Sequence, residues 1–583
     1  MKPSPSQIRR ALGCLLALLV CGVAVNAARE VTFDRLRAAD GEPENWLVYG
    51  RTYRSFRYSP LDQINTANVH TLKAAWAFQL GVVDNGLQST PLVADGVMYV
   101  IGSGNRVFAL DATDGHPLWR YFYEPRKAET PASTTTSVPA LGVEPAYRNR
   151  GLALGHGHLY FGTVDSFVVA LDATNGKELW RANVEDSQKF GCHIDGAPLV
   201  VKDVVVVGST GGDAAHRGHL VAFDGRTGQQ RWRFNIIPGP GEKGHETWEG
   251  DSWQYGGGAA WMTGSYDPEL DLIYWGTGNA SSDFYGDHRK GDNLYTASIV
   301  ALKAATGEIA WHFQTVPHDV WDYDSPYECI LIDLTVGGRP RKLLIQPNKS
   351  GYMIVLDRSN GEFVAGWKYV ENLTWSSGLD GRGVPQNRRE PVVGKSTVIC
   401  PNLYGARSFN QATFSPKTGL LYNIGIEWCG EFTARAQERV PGRAWLGGTS
   451  RIVPPPSGKV TSHLDAFDPL TGRRVWRYDT KHPLAAALVS TGGDLVFAGD
   501  PEGNFFALNA ATGQKLWNFP TGSGHRGGPI SYAVNGKQYV ATPSGWGSSF
   551  AGQLAGLFPE LEAVQRGATV FAFTLPDEAR NGR

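Results

Sequence analysis

VVALDATNGKELW, residues 168–180, is an apolar strand, a tight turn and a second short strand ending on tryptophan. Asp172 opens an Asp-x-x-Thr/Asn-Gly turn, where its carboxylate can accept hydrogen bonds from the turn backbone, and Gly176 supplies the positive φ that such a turn requires. The phrase recurs as VFALDATDGHPLW at 107–119, LVAFDGRTGQQRW at 220–232 and IVALKAATGEIAW at 299–311. It continues as MIVLDRSNGEFVAGW at 353–367, LDAFDPLTGRRVW at 464–476 and FFALNAATGQKLW at 505–517. Strand-turn-strand units repeated in this way predict an all-β chain, an eight-bladed β-propeller with tryptophan-docking repeats, with seven blades as the alternative count.

Successive repeat tryptophans lie 61, 52, 79, 56, 109 and 41 residues apart. The longest interval spans two units, and SPKTGLLYNIGIEW at 415–428 reads as a degenerate eighth copy inside it. Trp76, in LKAAWAFQL, is expected to supply the strand that closes the ring with the C-terminal segment. The repeat tryptophans themselves are packing residues between blades rather than catalytic ones. A minimal blade needs about 40–50 residues. The intervals Trp232–Trp311 and Trp367–Trp476 therefore carry insertions, expected to stack on one face and build a site.

The 583 residues include 71 Gly and 18 Trp, a composition suited to many short strands, tight turns and large interlayer rings. The formal net charge of -1, with no long basic run, excludes nucleic acid as an expected partner. Arg9 and Arg10 precede the apolar run Ala11–Val25, and Val25-Asn26-Ala27 offers small residues for a signal peptidase. Residues 1–27 are thus read as a cleaved signal peptide and 28–583 as a single propeller domain exported to the periplasm. An uncleaved anchor is the alternative, but about 15 apolar residues are short for a bilayer span. No later stretch is apolar enough to cross a membrane. Four cysteines remain after cleavage, Cys192, Cys329, Cys400 and Cys429, and no C-x-x-C pair encodes a zinc ribbon or an attached haem.

Several polar residues fall in loops between strand signals, where a plain propeller needs none. HDVWDYDSP at 318–326 sets Asp322 and Asp324 two apart, so an extended segment would turn both carboxylates to one side to share a cation. IYWGTGNAS at 273–281 carries Asn279, a neutral oxygen donor, and STGGDAAHRG at 209–218 presents Asp213 after two glycines. GGGAAW at 256–261 offers the flat face of Trp261, and NKSGYMIVLDR at 348–358 brings Lys349. Hard oxygen donors, a planar face and a basic group together read as a metal-assisted cofactor pocket.

RTYRSFRYSPLDQINTANV at 51–69, GAPLVVKDVVVVGSTGG at 196–212, PGPGEKGHETW at 238–248, GGGAAWMTGSYDPELDLIYWGTGN at 256–279 and GKQYVATPSGWGSS at 536–549 resemble the pyrroloquinoline-quinone (PQQ) alcohol and glucose dehydrogenases. The resemblance runs from about residue 45 to about 573. It implies a quinoprotein dehydrogenase that oxidises an alcohol, polyol or sugar. Trp261 would lie under the quinone ring, Arg150 would pair with a cofactor carboxylate, and Lys349 would bond the quinone oxygens. Asp213, Asn279 and Asp322 would bind the metal, and Asp322 would also take the substrate hydroxyl proton. Cys400 and Cys429 match the spacing of a structural disulfide in that family.

The departures concern the same pocket. Asp213 stands where the alcohol enzymes carry a longer Glu, Asp195 replaces a cofactor-contacting threonine, and Ser408 replaces an amide. The adjacent-cysteine ring is missing, since the stretch before Arg150 reads VEPAYRN, and Ala485 stands where an aromatic residue is expected. Asp324 accompanies lanthanide use in some relatives and appears in glucose-type ones without it; calcium is the expected metal and a lanthanide the alternative. With no haem motif, an external cytochrome c or a membrane quinone is needed to accept the electrons. The competing reading is a non-catalytic periplasmic propeller scaffold, which would leave the insertions and the Asp322, Asn279 and Lys349 set unexplained.

Overall fold

The repeat phrase folds as its residues dictate. In the computed structural model, which describes residues 29–125 and 148–577, Asp172 Oδ1 accepts from the Thr174 amide and hydroxyl at 2.8 and 2.6 Å, and Gly176 takes φ 73°. Asp111 does the same for Thr113. The expected signal segment 1–27 and residues 143–147 of the VEPAYRN stretch lie outside the described residues.

Among the described residues, pairing gives seven four-stranded antiparallel sheets, and an eighth in which Tyr58–Ser59 adds a parallel edge strand to four antiparallel ones. A two-stranded and a three-stranded sheet are smaller additions. Each of the seven clear repeat copies lies in a different one of the eight large sheets. The remaining large sheet joins Lys73–Gln79 to Thr569–Thr574, Lys537–Ser544 and Ile530–Val534, with Trp76 in register with Ala572. The strand carrying Trp76 thus pairs with the C-terminal segment as expected.

The stretch 415–428 is not a separate repeat. Its strand Leu420–Glu427 pairs with Thr461–Phe467, so it shares one sheet with the copy at 464–476. The reason is the insertion 429–460, which separates two neighbouring strands of one sheet and makes the first resemble a unit of its own.

Tryptophans tie each sheet to the next. The Nε1 of Trp76, Trp119, Trp180, Trp232, Trp311 and Trp476 donates to the backbone oxygen of Ala112, Ala173, Gly225, Ala304, Arg358 and Ala510, at 2.9–3.2 Å. Trp367 packs its ring on Gly472, and Trp517 closes the circuit by donating to Leu72 O at 3.0 Å. Every one of these rings except Trp517 covers the turn glycine of the next repeat: a β-carbon on Gly115 would stand 2.7 Å from the Trp76 ring. Truncating one such ring to alanine costs about 3–5 kcal/mol.

The two insertions meet. Ser396–Ile399, Cys429–Ala434 and Gly448–Val453 form the three-stranded sheet, and the Phe432 ring lies 5.3 Å from Phe284 of the other insertion. Phe284 N–H donates to Leu446 O at 2.9 Å. The Cys400–Cys429 disulfide is formed, while Cys192 and Cys329 are free and buried. The bridge closes 29 residues, a loop whose constraint is worth roughly 3–4 kcal/mol on chain-entropy grounds. The double variant C400S/C429S should therefore melt at lower temperature than the wild type. A reductant should lower the wild-type midpoint and leave that of the double variant unchanged. Among the described residues, no helix is long and apolar enough to cross a membrane.

Candidate active site

Asp319 shapes the loop that presents Asp322. Its carboxylate accepts from the Trp321 and Tyr323 amides at 3.0 and 2.7 Å. The flanking rings are anchored in the interior, with Trp321 Nε1 donating to Arg389 O at 3.0 Å and Tyr323 OH to Pro401 O at 2.6 Å. Asp322, held between them, has φ 62°. A non-glycine residue there costs about 1–3 kcal/mol, and such positions cluster at functional sites. The expected extended segment is thus broken at Asp322. Both carboxylates still reach one cation: Lys349 Nζ lies 3.2 Å from Asp322 Oδ1 and 2.8 Å from Asp324 Oδ2. Gly405, at φ 80°, lets the chain pass so close to Lys349 that any β-carbon there would collide with its stem.

The two carboxylates are held differently. Asp324 Oδ1 accepts from the Asn279 amide at 3.0 Å and from Trp261 Nε1 at 3.4 Å, so both its oxygens meet protein donors. Among the described residues, Lys349 is the one ion-pair partner of the Asp322 side chain. Asn279 Nδ2 donates to Asp283 Oδ1 at 2.9 Å. Asn279 Oδ1 points toward the turn that carries Asp213, since a β-carbon on Gly212 would stand 3.8 Å from it. Ser281 Oγ ties that turn down by donating to Gly212 O at 2.6 Å, and the Trp445 amide donates to Asp213 O at 2.7 Å. Asp213, Asn279, Asp322, Asp324 and Lys349 are thus brought into one neighbourhood beside Trp261, with Asn279, Asp324 and Lys349 buried and Asp213 and Asp322 half-buried.

Charge crowding follows. Burial, then the charge of Asp324, pushes the Asp213 carboxyl up to about 6. Burial also raises Asp322 well above the usual range, with Lys349 opposing and Asp324 adding to the rise. Asp283 is raised by burial and by Asp213. Burial alone would lower the Lys349 ammonium, but Asp322 and Asp324 outweigh it and hold it high. Among the described residues, no three His, Cys, Asp or Glu side chains close on one point. The carboxylates alone therefore do not complete a shell for a hard cation, which takes about six to eight oxygens.

Arg150 and Asp195 stand on the other side of Trp261. The Arg150 guanidinium lies 4.9 Å from the Trp261 ring and 4.6 Å from the Phe409 ring. Asp195 Oδ2 takes Arg150 Nη1 at 2.6 Å and Arg148 Nε at 2.7 Å. Burial alone would raise Asp195, but the two guanidiniums outweigh it and hold its carboxyl far below the usual range. Arg150, which the resemblance assigns to a cofactor carboxylate, is thus already engaged by the aspartate that replaces threonine. Phe409 packs edge-on against Trp261 at 6.0 Å, and half-buried Ser408 lies between Phe409 and the buried Arg407. Ala485 is fully buried, in a cluster with Trp428 and Trp546.

Sequence reasoning missed Asp283, Asp319, Arg148 and Phe409. Asp319 had a signal: HDVWDYD holds a third aspartate, three residues before Asp322, at the spacing of a side chain that folds back onto the following amides. Asp283 lies four residues after Asn279, and Arg148 gains meaning only through Asp195, 47 residues on.

A family model described as the β-propeller domain of glucose/ethanol/alcohol dehydrogenases matches residues 46–372. Another, described as outer membrane protein assembly factor BamB, matches residues 456–551, which hold the last two repeat copies. The quinohemoprotein alcohol dehydrogenase ADH-IIG of Pseudomonas putida is 36% identical over 588 residues, covering 96% of this chain and 80% of its own length. The quinoprotein alcohol dehydrogenase PedH of Pseudomonas putida is 34% identical, covering 99% and 98%. Among solved structures, ADHIIG superposes with a TM-score of 0.86 at 36% identity, covering 96% of this chain and 84% of that one. A europium-containing methanol dehydrogenase does so at 0.85 and 33%, covering 93% and 100%. With a family model over more than half of the sequence and relatives aligned along nearly all of it, the chain belongs to the pyrroloquinoline-quinone-dependent alcohol dehydrogenases.

Proposed function

We propose that this chain is an exported eight-bladed quinoprotein dehydrogenase that oxidises an alcohol, polyol or sugar with PQQ and one hard cation, calcium or a lanthanide. The observation that carries the reading is the set Asp213, Asn279, Asp322, Asp324 and Lys349 clustered beside Trp261, three of them buried and two half-buried, which a scaffold would not need. The eight large sheets, joined by successive tryptophans, are its blades.

The residues present fit such a cofactor. Trp261 is half-buried with a flat ring, and among the described residues no donor meets the buried Asp195 Oδ1. Several carboxylates crowd one ammonium, an arrangement that a cation would relieve. Trp261 would support the planar rings, Arg150 with Arg148 would face the cofactor carboxylates, and Lys349 would bond the quinone oxygens. Asp213, Asn279 and Asp322, with Asp324 alongside, would hold the cation.

When bound, PQQ supplies the two-electron oxidising centre and the cation supplies Lewis acidity. Asp322 receives the substrate hydroxyl proton on a carboxylate oxygen. Burial raises its affinity for protons, the direction that a general base needs. Lys349 keeps Asp322 oriented, and Asp324, bound on both oxygens, fixes Lys349 in turn. Electrons would leave to an external cytochrome c or a membrane quinone.

Purified protein reconstituted with PQQ plus calcium or lanthanum should oxidise members of an alcohol and sugar panel with an artificial acceptor. Activity should require both additions. Protein that takes up PQQ and metal yet oxidises nothing in the panel would contradict the enzyme reading.

A further inference from the structure

Asp283 is not needed for the repeat, the blades or the proton transfer. It is 2% exposed, four residues past Asn279, and its Oδ1 receives the Asn279 Nδ2–H at 2.9 Å. An ionised carboxylate can only accept, so with Asp283 ionised this bond permits one orientation of the Asn279 amide: nitrogen toward Asp283, oxygen toward the Asp213 turn. The Asn279 backbone is pinned separately by its amide bond to Asp324. The cation in direct contact with the group is Lys349, and its ammonium is taken up by Asp322 and Asp324. Arg289, the nearest guanidinium in sequence, spends its side chain on Asn293 and on the backbone oxygens of Ala280, Ser282 and Asp319. A bound cation would favour the ionised form of Asp283, which then adds a negative charge that, among the described residues, no cationic side chain hydrogen-bonds and Arg289 offsets only at longer range.

We propose that Asp283 is a positioning residue of the metal site: it turns the Asn279 carbonyl oxygen to the metal and biases the site toward a trivalent cation. This rests on the metal assignment made under the proposed function. The bias follows from charge alone, because one added negative charge attracts a trivalent ion half again as strongly as a divalent one at the same distance. The positioning follows from the hydrogen bond, and the loss of such an outer partner typically lowers metal affinity about 10–100-fold.

Two variants separate these effects. Asp283→Asn keeps an acceptor for Asn279 and removes the charge; Asp283→Ala removes both. Full-length protein loaded with PQQ is titrated with lanthanum or calcium against a competing chelator, and bound metal is counted by mass spectrometry. Circular dichroism checks the fold. Asp283→Asn should lose lanthanum affinity more steeply than calcium affinity, about thirtyfold against about tenfold. Asp283→Ala should lose about a further tenfold for both metals alike. If Asp283→Ala fails to fold, the unequal loss in Asp283→Asn still supports the inference. Wild-type affinity for both metals in both variants would overturn it, as would an equal loss for the two metals in Asp283→Asn. Wild-type protein that binds neither metal would defeat the metal assignment itself, and this inference with it.

Discussion

Asp322→Asn should lower turnover at least about 10²-fold while PQQ stays bound, because an amide cannot take the substrate proton and a positioned base contributes about 10²–10⁴-fold. The substitution is close to a clean test. Asn tolerates positive φ better than most residues, so the backbone at φ 62° can stay as it is. Asp319 still caps the Trp321 and Tyr323 amides, and Lys349 keeps Asp324 at 2.8 Å. Bound metal and PQQ are measured beside the rate, since Asp322 is also a candidate ligand. A variant that holds both and retains more than about a tenth of the wild-type rate would remove Asp322 from the role of base.

Glu328→Gln should produce a large loss of stability. Glu328 is 1% exposed as a residue and Arg407 likewise. They meet through two bonds, Nη1 to Oε1 at 2.9 Å and Nη2 to Oε2 at 3.2 Å. Glu328 Oε1 also accepts the Ala412 amide at 2.7 Å, so the pair fixes both ends of the segment that carries Ser408 and Phe409 against Trp261. Burial pulls the Glu328 carboxyl up despite Arg407, which indicates how much solvation the pair has given up. Removing one partner strands a buried guanidinium, at a cost of about 3–5 kcal/mol. The double variant E328M/R407M should recover much of that loss, since apolar replacements of both partners leave no charge behind. Denaturant midpoints for the two variants check this. A single variant as stable as the wild type would mean that water or another group solvates Arg407.

The fold was legible because its code is local. A strand, an Asp-led turn, a glycine and a tryptophan fit within thirteen residues, and the tryptophan then finds the next turn glycine without further information. Where the information is not local, the reading failed. The strand at 420–427 and its partner at 461–467 are adjacent in one sheet but separated by an insertion, so the first looked like a blade.

The site divides in the same way. Asp213, Asn279, Asp322, Asp324 and Lys349 stand out as polar residues just past strand ends. The geometry of Asp322 does not: its positive φ is imposed by Asp319 and by two anchored rings, which alternation in sequence cannot reveal. The Arg150–Asp195–Arg148 cluster is likewise a product of two chain segments meeting. Asp195 reads as a substitution in sequence and as a fully buried ion-pair partner in space.

One hard cation and one PQQ are expected to occupy the space between Trp261, Asp322 and Asn279. Anomalous diffraction from crystals of protein reconstituted with PQQ and lanthanum tests it most directly. A single strong peak is expected at hard-cation distances, about 2.3–2.6 Å, from oxygens of Asp213, Asn279 and Asp322, with planar density against the Trp261 ring. A peak elsewhere, or an empty space among these residues in protein that carries stoichiometric metal, would contradict it.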